Sequence, residues 1–497
     1  MHVGIVGGGV AGLVSAKVLK QDGFDVTVFE KEPGIGGVWA ESRAYPGLST
    51  NNPRETYVFS DFPHADTIGD FPSAGQVREY LEGYVDHFGL WPHLRLGTEV
   101  VSVARKPADQ HGAHQDFRVR VRPVHGEAGA ETLMFDFVVV CNGVLSEPVI
   151  PRFEGVERFG GQVIHSSQTP EVPALRGKRV VVVGAGKSAL DCANFAGKHA
   201  TTCTLVFRRP YWMLPRYFFG RKRVDRQVFN RVTEMITFPA YHEISRGEAA
   251  ARTIGAPLRP LLWGLRRLQC RLIARQAGIT RMMRPEAPIH RHIFHQGIGA
   301  EVYDGVREGL VEPRRAGISC FVDNETLRLN TGEELAADMV ICGTGWRQQI
   351  GFLDSDLQRQ IRPNDAFRLY RHVLPPAEPR MGFVGYASSG NAPLTSEVAA
   401  HWLSRCFLGE LALPPRADME ASVDRVLEWT ARAFPEQSQG HFIGGYIAHY
   451  VDWLMRDMGL EPRRTSGVIQ EYLGPFWAER YRDLPVQRLS RSRRFRN

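Results

Sequence analysis

Two short stretches carry residues whose types and spacing suit the binding of phosphate. In "HVGIVGGGVAGLVSA", His2 to Ala16, Gly7, Gly9 and Gly12 stand in G-x-G-x-x-G order between an apolar run and a helix-forming one. In "RVVVVGAGKSALDCA", Arg179 to Ala193, Gly184, Gly186 and Ala189 stand in G-x-G-x-x-A order in the same setting. The first glycine of such a set permits a tight turn. The second lets the backbone approach a pyrophosphate, and the third lets helix and strand pack closely. The helix N-terminus adds free N–H groups and a partial positive charge. With Gly8, Val10 and Ala11 among them, the glycines of the first stretch form a candidate dinucleotide cradle; the second stretch forms another.

The residues that end the next strand differ between the two. Glu30 follows Gly7 by 23 residues, and a carboxylate there accepts ribose hydroxyls and repels a 2′-phosphate. Arg208 follows Gly184 by 24 residues, with Arg209 beside it. A guanidinium there pairs with a 2′-phosphate and stacks on adenine, so the second stretch reads as an NADPH site. After Glu30 comes "EPGIGGVWAES", in which Gly34, Gly36, Gly37, Val38 and Trp39 suggest a loop running over a longer cofactor. FAD is therefore expected at the first site, with Gly37, Val38 and Trp39 against it. The plainer reading is a glycine-rich surface loop with a core tryptophan.

Two dinucleotides imply a hydride donor that comes and goes and a flavin that stays. The flavin's electrons need an acceptor. Seven cysteines, at 141, 192, 203, 270, 320, 342 and 406, form no C-x-x-C pair. That spacing signals neither a zinc site nor a dithiol, and dispersed cysteines suit a reducing cytoplasm. Molecular oxygen is the simplest remaining acceptor.

At this point the chain resembles the flavin-containing monooxygenases, a family of class B flavoprotein oxygenases related to the Baeyer–Villiger enzymes. The resemblance rests on "GGVW" (36–39), "TNNPRETYVFSDFP" (50–63), "FGGQVIHSSQT" (159–169), "GAGKSALD" (184–191), "DMVICGTGW" (338–346) and "FVGYASSGNAPLTSEVAAHW" (383–402). It implies reduction of FAD by NADPH, formation of a C4a-(hydro)peroxyflavin with oxygen, and oxygenation of a nitrogen or sulfur atom of a small-molecule substrate. It further implies that Asn51 is the catalytic residue beside the flavin, with Thr50 and Asn52 also at FAD. Lys187, Ser188, Ala189, Leu190 and Asp191 would meet the NADPH pyrophosphate and ribose. Two positions depart from the family pattern. Thr169 stands where an aromatic residue is usual, and Ala189 where glycine is commoner. Baeyer–Villiger relatives carry tryptophan then proline at 169–170, and only Pro170 is kept. Asn51 favours heteroatom oxygenation. Baeyer–Villiger oxygenation of a ketone, or a non-catalytic FAD-binding role, are the alternatives. His165 is expected either to make a structural hydrogen bond or to position a cofactor.

The remaining features bound the rest. The chain has 497 residues, 43% hydrophobic and 23% charged, enough for more than one core. The expected class is α/β with two Rossmann-like dinucleotide-binding domains. An FAD domain is split into 1–165 and 325–497, and an NADPH domain at 166–324 carries a helical insertion. No signal peptide and no apolar run long enough to span a bilayer are read. The formal charge is +7, and Arg488, Arg491, Arg493, Arg494 and Arg496 supply most of it. That tail is expected to be a disordered, solvated end rather than a nucleic-acid or membrane anchor. Residues 257–278 read as a helix apolar on one side and arginine-rich on the other. Such a helix suits packing on its own domain, a lid or oligomer contact, or a membrane surface. A homo-oligomer is left open, and no metal site is expected.

Overall fold

Each glycine-rich turn sits at the end of the central strand of its own five-stranded parallel sheet. The computed structural model describes residues 1–106, 116–126, 129–218, 220, 222–223, 230–244, 246–254, 257, 259–286, 297–434 and 439–488. In the first sheet the order is Met381–Phe383, Phe137–Val140, His2–Val6, Asp25–Phe29, Leu94–Arg95. In the second it is Glu312–Arg315, Thr202–Phe207, Arg179–Val183, Met339–Cys342, Gln162–His165. Neighbouring strands are parallel throughout both. The strand "RVVVV" is buried at Val180, Val181 and Val182, as a strand covered on both faces must be.

The two sheets are built on one plan. A strand, a glycine-rich turn and a helix (Val10–Gln21 or Lys187–His199) lead to a second parallel strand. Before the parallel strand that adjoins the central one on its other side (Phe137–Val140 or Met339–Cys342) comes a three-stranded antiparallel meander, 98–135 in one case and 318–336 in the other. Gly7 N–H donates to Phe29 O at 2.8 Å, and Gly184 N–H donates to Val206 O at 2.9 Å. This plan differs from the domain boundaries read in the sequence. Gln162–His165 and Met339–Cys342 both pair into the second sheet, so those strands go with the second unit and not with the first. The apolar run 338–342 reads equally well in either sheet, and only the pairing decides.

The sequence between the second sheet's strands reaches back over the first unit. Met213–Leu214 pairs with Gly297–Ile298, and Tyr217–Phe218 with Lys222–Arg223. Helix Arg259–Gln276 lies within the expected 257–278. Its Ile273 is buried, whereas Leu261, Leu265, Leu268 and Leu272 are exposed. Further on, Phe238 and Tyr241 pack against Trp429, Phe434, Tyr446 and Trp453 of the C-terminal helical region. His449 lies between two carboxylates there, 2.9 Å from Glu234 and 2.8 Å from Glu248. Arg231 reaches Asp452 at 2.6 Å and Glu471 at 2.7 Å.

Part of the expected solvated tail is not solvated. Arg488 is 2% exposed and meets Asp22 at 2.6 and 2.5 Å. Removing one partner of such a buried pair typically costs about 3–5 kcal/mol. The chain is held here because Asp22 ends the first cradle's helix and needs a counter-charge. Arg491, Arg493, Arg494 and Arg496 lie outside the described residues. Among the described residues no helix is long and apolar enough to cross a membrane.

Two expectations follow. A Cβ at Gly12 would lie 1.8 Å from the Gly7 carbonyl oxygen, too close for any side-chain adjustment to relieve. Gly12→Ala therefore opens the first turn and yields protein depleted of flavin; full flavin absorbance in the purified variant would contradict this. Burial opposes the charging of His449, but its hydrogen bonds to Glu234 and Glu248 together outweigh that and raise its pKa to about 9. The pair's contribution is complete below the ordinary value of 6.5 and is lost as pH rises through about 9. The melting-temperature gap between the wild type and His449→Gln should be widest near about pH 6 and close by about pH 10. A gap constant across that range would rule out a charged His449.

Candidate functional site

The first turn is formed by backbone alone. Gly7 has φ +108°, and a Cβ there would lie 2.6 Å from Cys141 O. Gly9 is the N-cap of Val10–Gln21, with no side chain capping it. Gly8, Val10 and Ala11 complete the turn, and Gly36 N–H donates to Gly8 O at 3.0 Å. Gly37, Val38 and Trp39 form a single turn beside Gly9; a Cβ on Gly37 would sit 3.3 Å from the Gly9 Cα. Trp39 is 6% exposed, and its indole N–H donates to Tyr57 Oη at 2.7 Å. It packs in the first unit's core cluster. Glu30 follows the second strand and is buried. Its carboxylate accepts from Gly8 N–H at 2.7 Å and Glu32 N–H at 2.9 Å, and burial raises its pKa.

The second turn repeats the first. Gly186 is the N-cap of Lys187–His199, again with no side-chain cap, and nothing lies within 4 Å of where its Cβ would sit. That open space at a bare helix N-terminus suits an anion. Ala189 replaces the usual glycine at no steric cost, because Gly343 faces it. A Cβ on Gly343 would lie 2.5 Å from that of Ala189. Leu190 is buried in the unit's core. Lys187 Nζ pairs with Asp191, one turn on. Arg208 and Arg209 follow Phe207 directly, as Glu30 follows Phe29, and both are exposed. Opposite charges thus occupy equivalent places in the two units.

Between the turns lies a segment in which the sequence shows no motif. Tyr45 is 7% exposed and belongs to the second unit's core cluster although it precedes the T-N stretch of the first. Its hydroxyl donates to Asp191 Oδ2 at 2.9 Å, and Ser188 also bonds it. Ser49 Oγ accepts from Arg216 at 2.7 Å. Arg216 stacks over Phe71 at 4.8 Å and pairs with Glu301 at 3.2 Å. Tyr217 donates to Asp70 at 2.7 Å, and Arg223 meets Glu55 at 2.8 Å. Thr50, Asn51 and Asn52 form the turn these contacts surround. Thr50 is buried, and its hydroxyl donates to Asn52 O at 2.7 Å. Asn51 is exposed at the tip. Asn52 faces Gly390, whose Cβ would lie 3.4 Å from its Nδ2, so the T-N stretch and the late 383–402 stretch do meet.

His165 plays a structural part. It is fully buried, with Nε2 3.0 Å from Gly345 O and Nδ1 2.9 Å from Ser167 Oγ. The carbonyl only accepts, so Nε2 carries the proton, and burial holds the imidazole below its ordinary pKa. Trp346 stands edge-on to it at 4.7 Å, with Arg43 over the indole at 4.5 Å. Thr169, the departure from the family pattern, donates to Ser166 O at 2.7 Å and lies 3.3 Å from Cys192 Sγ. Burial pushes the thiols of Cys141, Cys192, Cys203, Cys342 and Cys406 up to about 12, which leaves them protonated and unsuited to dithiol chemistry. No cluster of metal-ligating side chains is found among the described residues.

Comparison with known proteins agrees with this geometry. The model of the FMO-like family, flavin-binding monooxygenase-like proteins, matches residues 1–249 and 298–471. The chain is 28% identical to a "Probable flavin-containing monooxygenase 1" of Arabidopsis thaliana, over 97% of this chain and 96% of that protein. In structure it is similar to S-allyl-L-cysteine S-oxygenase from Allium sativum, with a TM-score of 0.61 and 21% identity. That match covers 100% of this chain and 93% of that one. It is also similar to NADP+-bound cyclohexanone monooxygenase from Rhodococcus sp. Phi1, with a TM-score of 0.68 and 19% identity, covering 99% and 98%. Two bare helix N-termini, an acid after one second strand and arginines after the other, and a family match across most of the chain lead to one conclusion: this chain belongs to the flavin-binding monooxygenase-like family and is an FAD- and NADPH-dependent monooxygenase.

Proposed function

We propose that the chain oxygenates a nitrogen or sulfur atom of a small molecule, and that the split first unit holds FAD while the second holds NADPH. The observation that carries the choice of heteroatom is Thr169. Its hydroxyl is committed to Ser166 and its neighbour is Cys192, so the position where ketone-oxygenating relatives carry tryptophan is filled by a small, satisfied side chain. Asn51, an exposed amide at the tip of a held turn, agrees with that reading.

The residues present fit both cofactors. Gly7 and Gly8 form the tight turn, their N–H groups taken by Phe29 and Glu30, so that Gly9, Val10, Ala11 and Gly12 offer backbone N–H groups to one pyrophosphate, and Glu30 offers its carboxylate to the adjoining ribose. Past the turn that Gly184 forms, Gly186, Lys187 and Ser188 do the same for the other dinucleotide, with Arg208 and Arg209 for its 2′-phosphate. When bound, the flavin supplies the redox chemistry between NADPH and oxygen. The chain holds the two dinucleotides and presents the exposed Asn51 amide as a hydrogen-bonding group from the turn that Thr50 and Asn52 form. The balance is NADPH, a proton, oxygen and substrate giving NADP+, water and the oxygenated product. Buried, protonated thiols and the lack of a membrane-spanning helix among the described residues support the cytoplasm as the place of action.

Incubation with NADPH and a tertiary amine, a thioether or a cyclic ketone tests the heteroatom choice. A product heavier by one oxygen is expected from the amine or the thioether. Lactone formation from the ketone alone would overturn it. The coenzyme assignment has its own test. A charge-assisted hydrogen bond is worth about 1.5–3 kcal/mol, so Arg208→Ala/Arg209→Ala should weaken NADPH by roughly tenfold to a hundredfold and barely change NADH. An unchanged ratio of kcat/KM for NADPH over NADH would remove these arginines from 2′-phosphate recognition.

A further inference from the structure

The segment that carries Asn51 is attached to the second unit at two points. Tyr45 is anchored in the second unit's core and donates to Asp191, the residue that also holds Lys187 at the head of the second cradle's helix. Four residues on, Ser49 accepts from Arg216, and Arg216 is paired with Glu301. Glu301 and Lys187 flank one spot: a Cβ on Gly299 would lie 3.0 Å from the Glu301 carboxylate and 3.0 Å from Lys187 Cε. Both attachments therefore begin just before Thr50 and end beside the second cradle. On the far side of the turn, Arg223 pairs with Glu55 and Asp70.

We propose that residues 45–49 are a tie through which the second dinucleotide loop sets the Thr50–Asn52 turn, and that Arg216 and Tyr45 are positioning residues for oxygenation. This rests on the reading of Asn51 given above. The charges set the direction of the effect. An anion arriving at the bare N-terminus of Lys187–His199 attracts Lys187 away from Asp191 and leaves Tyr45 as the remaining hydrogen-bond donor to that carboxylate. The Tyr45 anchor then strengthens, and the turn next to it is held more firmly. Arg216 supplies the second point of attachment to the second unit, beside the backbone bonds that hold Thr50 to Pro72 in the first. By reciprocity, a tie that lets the dinucleotide order the turn makes the ordered turn favour the dinucleotide. Its loss thus weakens NADP+ as well.

The test uses the FAD-loaded protein and two readouts. The first is amide hydrogen exchange of the peptide spanning 45–56, with and without NADP+. The second is oxygenated product formed per NADPH consumed, the shortfall appearing as hydrogen peroxide (NADPH, a proton and oxygen giving NADP+ and H2O2). In the wild type NADP+ should slow exchange in that peptide. In Arg216→Gln and in Ser49→Ala the slowing should be lost and product per NADPH should fall by about threefold to tenfold, the range the net contribution of one ordinary intramolecular hydrogen bond spans. NADP+ affinity should drop by no more than about tenfold. Arg216→Lys should recover part of the slowing, which a merely structural role does not require. If Arg216→Gln loses flavin, Ser49→Ala carries the test, since it removes the acceptor and leaves the guanidinium in place. Wild-type slowing and wild-type coupling in Ser49→Ala would overturn the tie. Asn51→Ala separates the two ideas: if it uncouples while Ser49→Ala does not, the Asn51 reading stands and the tie fails. If Asn51→Ala stays fully coupled, both fall.

Discussion

The structure depends on bare backbone at two helix N-termini. At the first, the Gly12 Cα is so close to the Gly7 carbonyl that a methyl group would overlap it at 1.8 Å. At the second, Gly184 takes φ +131° and a Cβ there would lie 2.3 Å from Gly343 O. These approaches bring each helix end onto its central strand, so that its free N–H groups point out of the sheet's carboxyl edge. The rest follows from that placement. The next strand must end beside the turn, which fixes where Glu30 and Arg208 stand. The strand on the other side must leave room, which fixes Gly343 and the backbone after Cys141.

That local logic explains what the sequence discloses. Glycine spacing, apolar strand and strand-end charge all lie within about thirty residues of one another, a βαβ unit's length. Both cradles could be read from single stretches for that reason. What the sequence hides is pairing between distant stretches. Met339–Cys342 is an apolar strand that fits either sheet by composition, and only its register with Arg179–Val183 assigns it. Arg488 reads as one more tail arginine until Asp22, far away in sequence, is found against it. Tyr45 and Arg216 have no motif at all. Their importance lies in which residues face them, and those are set by how the two units meet.

The contrast between the strand ends is electrostatic and orders the events. A buried carboxylate at Glu30, already bonded to Gly8 N–H, discourages a 2′-phosphate and suits a neutral ribose. On the proposed assignment, the two exposed arginines after Phe207 would attract a phosphate that arrives from solvent. Burial on one side and exposure on the other match a resident cofactor and a visiting one. The same division appears in the surroundings. The first helix is covered by Ala392–Phe407 and by the Asp22–Arg488 pair, whereas the second keeps open space at Gly186.

The two departures from the family pattern bear on what kind of oxygenase this is. Ala189 adds a methyl group where the pattern has none, and Gly343 makes room for it. The change is taken up inside the unit and leaves the phosphate-facing surface at Gly186 untouched. Thr169 removes an aromatic ring, and its hydroxyl instead ties Ser166 to the face of the second cradle's helix that carries Cys192. Neither exchange alters a group that would touch a dinucleotide phosphate. Both are taken up within the second unit and leave its bare helix N-terminus as it is. Around the turn at Asn51, Arg216, Tyr217 and Arg223 are held on Ser49, Asp70 and Glu55, and the late stretch meets the turn where Gly390 faces Asn52. On the proposed reading the small, satisfied side chain at Thr169 therefore bears on the choice of atom together with the exposed amide of Asn51, and not through the phosphate cradles.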